Sequence, residues 1–129
     1  MKRIIAAAIY EAGKLLIARR SYGTLKGFWE FPGGKVESGE SDEECIKREI
    51  REEFSVEIEL TPDAYLGSQN FISDGKECMI SLYEATLLSG TFKLSAHDQM
   101  AWILPSQLLH YSLAPVDIQL AQKFILKVE

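Results

Sequence analysis

Residues 39–54, GESDEECIKREIREEF, form the stretch that decides the fold. It contains a serine that a glutamate follows three residues later, which predicts a capping box at the start of a helix. Ile46, Ile50 and Phe54 recur every four residues, a spacing that predicts a buried stripe along one side of that helix. We therefore predict an amphipathic helix over residues 41–54 that docks on a sheet.

The same helix carries an unusual cluster of carboxylates. Glu49, Glu52 and Glu53 share one face because residues three and four apart lie side by side on a helix. Like charges at that spacing destabilise an isolated helix by about 0.2–0.5 kcal/mol per pair. Three bases alongside offset part of this cost: Lys47, Arg48 and Arg51. The pattern fits either a solvated, ion-paired helix or a carboxylate face that binds a cation.

Composition limits the possible classes of protein. A chain of 129 residues with 47% hydrophobic and 26% charged residues predicts one globular domain over residues 1–129. The net charge of −5 argues against binding to nucleic acid polymers or anionic membranes, since both need a basic field. An acidic protein that acts on phosphates needs a cation between them. We expect a monomer or a homodimer.

The first residues and the cysteines indicate a cytoplasmic protein. MKRIIAAAIY resembles a signal peptide only faintly, because its apolar run is short and a second strand-like segment follows. We interpret it as the first strand of a hairpin. Cys45 and Cys78 lack metal-ligand spacing, so we predict two buried thiols in a reducing compartment.

Alternating and continuous apolar runs predict the remaining elements. The predicted strands cover residues 3–10, 14–20, 28–31, 56–60, 64–73, 77–87 and 100–104. The segment 32–40 is predicted to be a loop, because Pro32 ends the preceding strand and glycines follow. Pro105 to His110 predicts one helical turn, and Asp117 is predicted to cap a last helix that runs to about Lys127. These elements predict an α+β fold with a mixed sheet between helices.

Residues 34–56, GKVESGESDEECIKREIREEFSV, resemble the signature of the Nudix hydrolases. That signature is a glycine, five residues, a glutamate, seven residues, arginine-glutamate-apolar, one residue, two glutamates, one residue, a glycine and an apolar residue. Only the second glycine is replaced, by Ser55. GFWEFPGGKVE (27–37) is similar to the MutT-like branch, and YSLAPVDIQL (111–120) resembles the cytidine triphosphate pyrophosphohydrolases of the family.

The resemblance implies an α/β/α sandwich and a metal-dependent hydrolase. Its metal, Mg²⁺ with Mn²⁺ as an alternative, is expected on Glu49, Glu52, Glu53 and the carbonyl of Gly33. Glu53 or Glu52 is expected to orient or deprotonate the attacking water. Arg48 is expected to hold Glu49 and the loop residue Glu37 in place.

The resemblance also implies a small nucleotide substrate, bound by Arg20, Gly34, Lys35 and Asp117. Arg20 occupies a family position that meets phosphate or base, although a solvated strand end is an alternative. Asp117 aligns with an asparagine that reads oxidised guanine in MutT-like enzymes. An ionised carboxylate only accepts hydrogen bonds and so suits the cytosine N4 amino group. We therefore expect cytidine-type or modified triphosphates to be preferred over 8-oxo-dGTP, unless Asp117 is only a helix cap.

Other positions keep two interpretations. Glu40 is either a structural anchor or a metal or water ligand. Asp98 either replaces a carboxylate that relatives often carry where Ala96 stands, or occupies a turn, and His97 is either a loop histidine or a base. Three aromatic residues are expected in the core more than in a base-stacking platform: Phe28, Trp29 and Phe31. Ser55 is expected to adopt a left-handed conformation at the helix end.

Alternative functions stay open. Within the family they are an 8-oxo-dGTP diphosphatase of the MutT type, or hydrolysis of ADP-ribose or a dinucleoside polyphosphate. ADP-ribose enzymes usually carry a proline some fifteen residues beyond the signature, and this chain has none between Pro62 and Pro105. Outside enzymes, the alternative is a nucleotide-binding domain without turnover, for which Ala96 and Ser55 are the only support.

Overall fold

A mixed sheet of seven strands forms the framework of the computed structural model, which describes residues 1–126. The strands are β1 (Lys2–Glu11), β2 (Lys14–Arg20), β3 (Trp29–Glu30), β4 (Gly33–Lys35), β5 (Val56–Ser73), β6 (Lys76–Gly90) and β7 (His97–Ile103). Their main order is β3-β2-β1-β6-β5, with β4 paired to β1 and β7 paired to β2. β1 and β6 run parallel, and the other pairs are antiparallel.

Helices cover both faces of the sheet. α1 (Asp42–Phe54) packs on one face, while a 3₁₀ helix (Pro105–His110) and α2 (Pro115–Leu120) pack on the other. After α2 the chain continues as a π-helical turn over Ala121–Ile125. This arrangement confirms the predicted α+β sandwich. In the part of the chain that the structure describes, no helix is long and apolar enough to span a bilayer, and the predicted end near Lys127 lies outside that part.

β1 lies at the centre because both of its faces are apolar. Ile5 and Ile9 are buried against the α1 side, whereas Ala6 and Ala8 are buried on the α2 side. A strand that is buried on both faces and pairs with a parallel neighbour shows such a continuous apolar run. The predicted hairpin of the first two strands is confirmed, and both cysteines are buried and free, as predicted.

α1 begins and ends as its sequence predicts. The Ser41 hydroxyl accepts a bond from the Glu44 amide at 3.1 Å, and the Glu44 carboxylate accepts one from the Ser41 amide at 2.9 Å. This is the predicted capping box. At the other end, Ser55 has a φ of 61° and donates its N–H to the Arg51 carbonyl. The left-handed conformation predicted for Ser55 is therefore confirmed.

The prediction of a loop over residues 32–40 was wrong at its start. Residues 33–35 form β4, in which Gly34 pairs with Ile5 and Gly33 with Ala6 of β1. A Cβ atom on Gly33 would clash with the Ile5 carbonyl oxygen, so only glycine permits this approach. A three-residue strand with two glycines has almost no strand propensity of its own.

Other boundaries also differ from the prediction. The predicted strands 56–60 and 64–73 are one strand, β5, whose register against β6 shifts between Glu57 and Ile58, between Leu60 and Tyr65 and between Tyr65 and Gly67. β7 begins at His97, upstream of the predicted residue 100. The predicted cap role of Asp117 was wrong, because α2 begins at Pro115 and its N-cap is Ala114.

Candidate active site

A cavity of about 340 Å³ opens where α1, α2 and five strands meet. Backbone and side chains of β1 form its floor, since Ile4, Ile5 and Ala6 line it. The rest of its lining comes from Lys2, Arg20, Tyr22, Glu30, Phe31, Gly33, Gly34, Lys35, Glu49, Glu53, Ile80 and Asp117. The fold therefore gathers in one place seven predicted site residues, among them Gly33, from distant parts of the sequence.

The Glu53 carboxylate lies in surroundings that favour a nearby positive charge. Its Oε1 is buried, and no group in the described chain donates a hydrogen bond to it. Burial, and then the nearby charges of Glu49 and Glu30, raise the pKa of Glu53 to about 8. A buried carboxylate in a negative field is costly unless a cation or proton compensates it.

The Glu49 carboxylate lies directly against Gly34 of β4. A Cβ atom on Gly34 would occupy the space of the Glu49 carboxylate, so the absence of a side chain there makes room for it. Burial raises the pKa of Glu49 above its usual value, and the hydrogen bond from Arg48 partly opposes this. Glu49 and Glu53 thus line the same cavity as two closely held carboxylates.

Arg48 fixes the geometry behind the cavity. It donates two hydrogen bonds to Glu40, at 2.6 and 2.9 Å, and one to Glu49 at 2.8 Å. Its guanidinium also lies 3.4 Å from Glu37, so both contacts expected of Arg48 are present. The bonds from Arg48, followed by one from the Glu37 amide, lower the pKa of Glu40 to about 2. Glu40 therefore occupies the structural position of an anchor, outside the cavity lining.

Glu52 lies on the same side of α1 but outside the cavity. Its side chain is 58% exposed and accepts a bond from Arg48 at 3.2 Å. Within residues 1–126, no three histidine, cysteine or acidic side chains are close enough to hold a metal ion as they stand. The donor set nevertheless fits a hard cation, because the cavity offers carboxylates, an unpartnered buried oxygen and the backbone of Gly33.

Arg20 lines the cavity as part of a network that the sequence analysis missed. Its Nη2 lies 3.1 Å from each carboxylate oxygen of Glu30, and His97 Nε2 lies 2.9 Å from Oε2 of Glu30. The Tyr22 ring covers the guanidinium, with 5.4 Å between the ring centroid and Cζ. The one sequence signal for Glu30 is its position between two aromatic residues, Trp29 and Phe31.

His97 and Asp98 do not reach the cavity. His97 is buried at the start of β7, where its ring stacks on Phe54 with centroids 5.0 Å apart. Asp98 is exposed and makes two hydrogen bonds with Arg19, at 2.8 and 3.0 Å. The structure therefore contradicts a loop position for both residues and does not bring Asp98 to the carboxylates of α1.

Asp117 is buried at the end of the cavity. Its Oδ2 accepts a hydrogen bond from the Phe31 amide at 2.8 Å. Burial is the main reason that the pKa of Asp117 rises to about 8, and the charge of Glu30 adds to the rise. Burial therefore favours the neutral form of this carboxyl group, whereas the expectation from the sequence considered its ionised form.

The three aromatic residues before the glycines have different environments. Phe31 is buried and lines the cavity, and Trp29 packs edge-on against Tyr111 with ring centroids 5.1 Å apart. Phe28 is exposed. The expectation of core positions is thus confirmed for Phe31 and largely for Trp29, and it was wrong for Phe28.

Known proteins resemble this chain over most of its length. The NUDIX domain model matches residues 1–124. The CTP pyrophosphohydrolase of Escherichia coli K12 is 36% identical over 126 residues, which cover 97% of this chain and 92% of the relative. The nucleoside triphosphatase NudI of Escherichia coli O139:H28 is 30% identical, with coverage of 87% and 88%. The crystal structure of a MutT NUDIX hydrolase from Burkholderia pseudomallei superposes with a TM-score of 0.81 and 26% identity, covering 96% of this chain and 97% of that one.

Proposed function

Since this chain belongs to the Nudix family, whose members use a divalent metal and act on small nucleotides, we propose that it is a Mg²⁺-dependent nucleoside triphosphate pyrophosphohydrolase. The products are a nucleoside monophosphate and pyrophosphate. One observation carries the proposal: the unpartnered buried oxygen of Glu53 lies in the same cavity as Glu49 and Arg20. Such a cavity combines a place for a cation with a cationic side chain for phosphate or base.

Glu49, Glu53 and the Gly33 carbonyl line the cavity and would hold the metal there. Glu52, whose side chain lies outside the cavity, would have to turn toward it to contribute. A bound Mg²⁺ or Mn²⁺ ion neutralises phosphate charge and makes a coordinated water more acidic. Glu53 is the proposed base: it accepts the proton of the water that attacks an inner phosphorus. The support for this role is the place of Glu53 in the cavity, where its Oε1 is buried and has no hydrogen-bond donor within residues 1–126.

Cytidine-type triphosphates are the proposed substrates. The support is the 36% identity to a CTP pyrophosphohydrolase and the position of Asp117 in the cavity. A neutral carboxyl group has one donor and one acceptor, which can pair with N3 and the N4 amino group of cytosine. The same pair also suits O6 and N7–H of oxidised guanine, so 8-oxo-dGTP is the second candidate. Above pH 8, the ionised carboxylate only accepts, so it loses the bond to N3 of cytosine as well as the bond to O6 of oxidised guanine.

The form of the substrate, the cellular compartment and the oligomeric state are also proposals. The net charge of −5 supports a free nucleotide as the substrate in place of a nucleic acid polymer. We place the activity in the cytoplasm, in a single domain over residues 1–129 that acts as a monomer or a homodimer.

Glu53→Gln tests the proposal, with Glu43→Gln as its matched control. Glu43 lies on the same helix, but it is exposed and, within residues 1–126, pairs only with Lys47, at 2.8 Å. We expect Glu53→Gln to lower kcat on the order of 10²–10³-fold, the usual cost of a lost electrostatic contribution. Glu43→Gln should stay within about twofold of the wild type, because exposed ion pairs contribute little.

The measurement is pyrophosphate release from a panel of normal and modified nucleoside triphosphates with Mg²⁺. A wild-type protein that binds nucleotide without releasing pyrophosphate would be a binding domain and would refute the proposed enzyme. Full activity of Glu53→Gln would remove Glu53 from the metal and base roles. A higher kcat/KM for 8-oxo-dGTP than for any cytidine nucleotide would select the second candidate.

A further inference from the structure

His97 is buried beside the cavity without lining it. Its side chain is fully enclosed, and its Nε2 contacts Oε2 of Glu30 at 2.9 Å. Because a carboxylate only accepts hydrogen bonds, the histidine donates from Nε2. Its Nδ1 is buried and has no partner in the described chain. The only polar contact of the ring therefore leads to Glu30.

Glu30 is saturated by the groups around it. Its Oε1 receives Nε and Nη2 of Arg20 at 3.3 and 3.1 Å, and its Oε2 receives Arg20 Nη2 at 3.1 Å in addition to His97. Each oxygen thus holds two donors. Glu30 has little remaining capacity for a metal or a substrate, although it lines the cavity.

The hydrogen bonds to Glu30 fix the orientation of the Arg20 guanidinium. A guanidinium is a planar fork, so bonds through Nε and Nη2 determine where its third nitrogen lies. Within residues 1–126, Nη1 of Arg20 makes no hydrogen bond to protein, while Arg20 itself lines the cavity. Two N–H donors are therefore left for a ligand, and their direction depends on Glu30.

The His97 ring also packs against the C-terminal end of α1, the helix that carries Glu53. Its ring stacks on Phe54, the last residue of α1, at an interplanar angle of 17°. The chain just before His97 also holds this end, because the Ser95 amide donates to the Glu53 carbonyl at 3.2 Å. His97 therefore lies between the helix that carries Glu53 and the anchor of Arg20.

We propose that His97 is a positioning residue, whose Nε2–H holds Glu30 and thereby aims Arg20 at the phosphate or base of the substrate. It does not touch the substrate. The inference rests on the proposed function, since it assigns substrate binding to Arg20. Loss of the Nε2 donor should let Glu30 and Arg20 take several orientations, which weakens substrate binding more than it slows the chemical step.

Two variants separate this role from packing. His97→Phe keeps an aromatic ring on Phe54 but removes the donor, whereas His97→Gln places an amide N–H near Nε2 but removes the ring. We expect His97→Phe to raise KM for CTP about tenfold, the factor that corresponds to 1.4 kcal/mol, with a smaller change in kcat. His97→Gln should restore KM to within about threefold of the wild type. The opposite order, with the Phe variant normal and the Gln variant impaired, would mean that His97 only packs.

A double-mutant cycle tests whether the effect passes through Arg20. Arg20→Ala should raise KM at least as much as His97→Phe, and adding His97→Phe to it should cause no further rise. Independent, multiplying effects would overturn the proposal. If His97→Phe does not fold, Glu30→Gln disrupts the same contact from the cavity side, and an unchanged KM in that variant would overturn it as well.

Binding without turnover keeps this inference distinct from the proposed function. The Kd of CTP is measured by calorimetry with Ca²⁺ in place of Mg²⁺, for the wild type and both His97 variants. If the wild type releases no pyrophosphate, the proposed enzyme fails, yet the ratio of Kd values still tests His97. Equal Kd values for the wild type and His97→Phe would refute the positioning role.

Discussion

Two adjacent glycines serve different purposes at the level of single residues. Gly33 lets β4 approach the backbone of β1, because a Cβ there would clash with the Ile5 carbonyl and the Ala6 Cα. Gly34 instead leaves space for the carboxylate of Glu49, the flexible end of a side chain. Neither residue has a positive φ, so the close contacts alone require glycine.

Alanine at each glycine should therefore have a different effect. In Gly34→Ala the Glu49 carboxylate must move, and displacement of a catalytic group by about 1 Å can cost on the order of 10²-fold in rate. We expect that loss in kcat with a melting temperature close to that of the wild type. Gly33→Ala should lower the melting temperature, since strand pairing must yield. Thermal unfolding and pyrophosphate release of both variants check this, and equal loss of stability in the two would contradict it.

At the level of elements, α1 could be predicted because its determinants are local. The capping box, the buried stripe and the left-handed end each depend on residues within one or two turns. The side chains of α1 also contain the carboxylates that identify the family. The helix and its candidate metal-binding carboxylates could therefore both be predicted from one contiguous stretch of sequence.

Ser55→Gly should stabilise α1 and with it the protein. Ser55 is exposed and has a φ of 61°, a conformation that glycine adopts without the steric cost of a Cβ. We expect the free energy of unfolding to rise by about 0.5–1 kcal/mol and kcat to stay unchanged. Urea denaturation measures the first quantity. An unchanged or lower stability would mean that the serine hydroxyl or the unfolded chain compensates.

Strands were less predictable because their partners are distant in the sequence. β4 exists only through its pairing with β1, as the pairing of Gly34 with Ile5, 29 residues earlier, shows. β5 continues through Pro62 and the left-handed Asp63 because bulges at the sheet edge absorb them. Such context outweighs local propensity in sheets.

At the level of the whole molecule, the cavity joins residues that no local pattern connects. The contiguous motif predicted Glu49, Glu53, Gly33 and Gly34, and the structure brings all four to one cavity. Glu30 could not be assigned, because its role depends on Arg20 and on His97, which is 67 residues away. Burial also raises the pKa of Asp117, and burial is a property of the folded chain.

Asp117 should therefore make the stability of the whole protein depend on pH. Burial raises its pKa to about 8 in the folded protein, from 3.8 for an ordinary aspartate. Between these values the folded state binds more protons than the unfolded state, so the free energy of unfolding falls as pH rises and levels off above pH 8. The maximum slope for one group is about 1.4 kcal/mol per pH unit.

Asp117→Asn lacks this titration, and its amide oxygen can still accept from the Phe31 amide. We expect the stability of the wild type to fall relative to that of Asp117→Asn from pH 5 to 8, as measured by urea denaturation at each pH. The charged groups beside it, Glu30 and Arg20, are common to both proteins, so their contributions largely cancel. A difference that stays constant over this range would mean that Asp117 is already ionised in the folded protein.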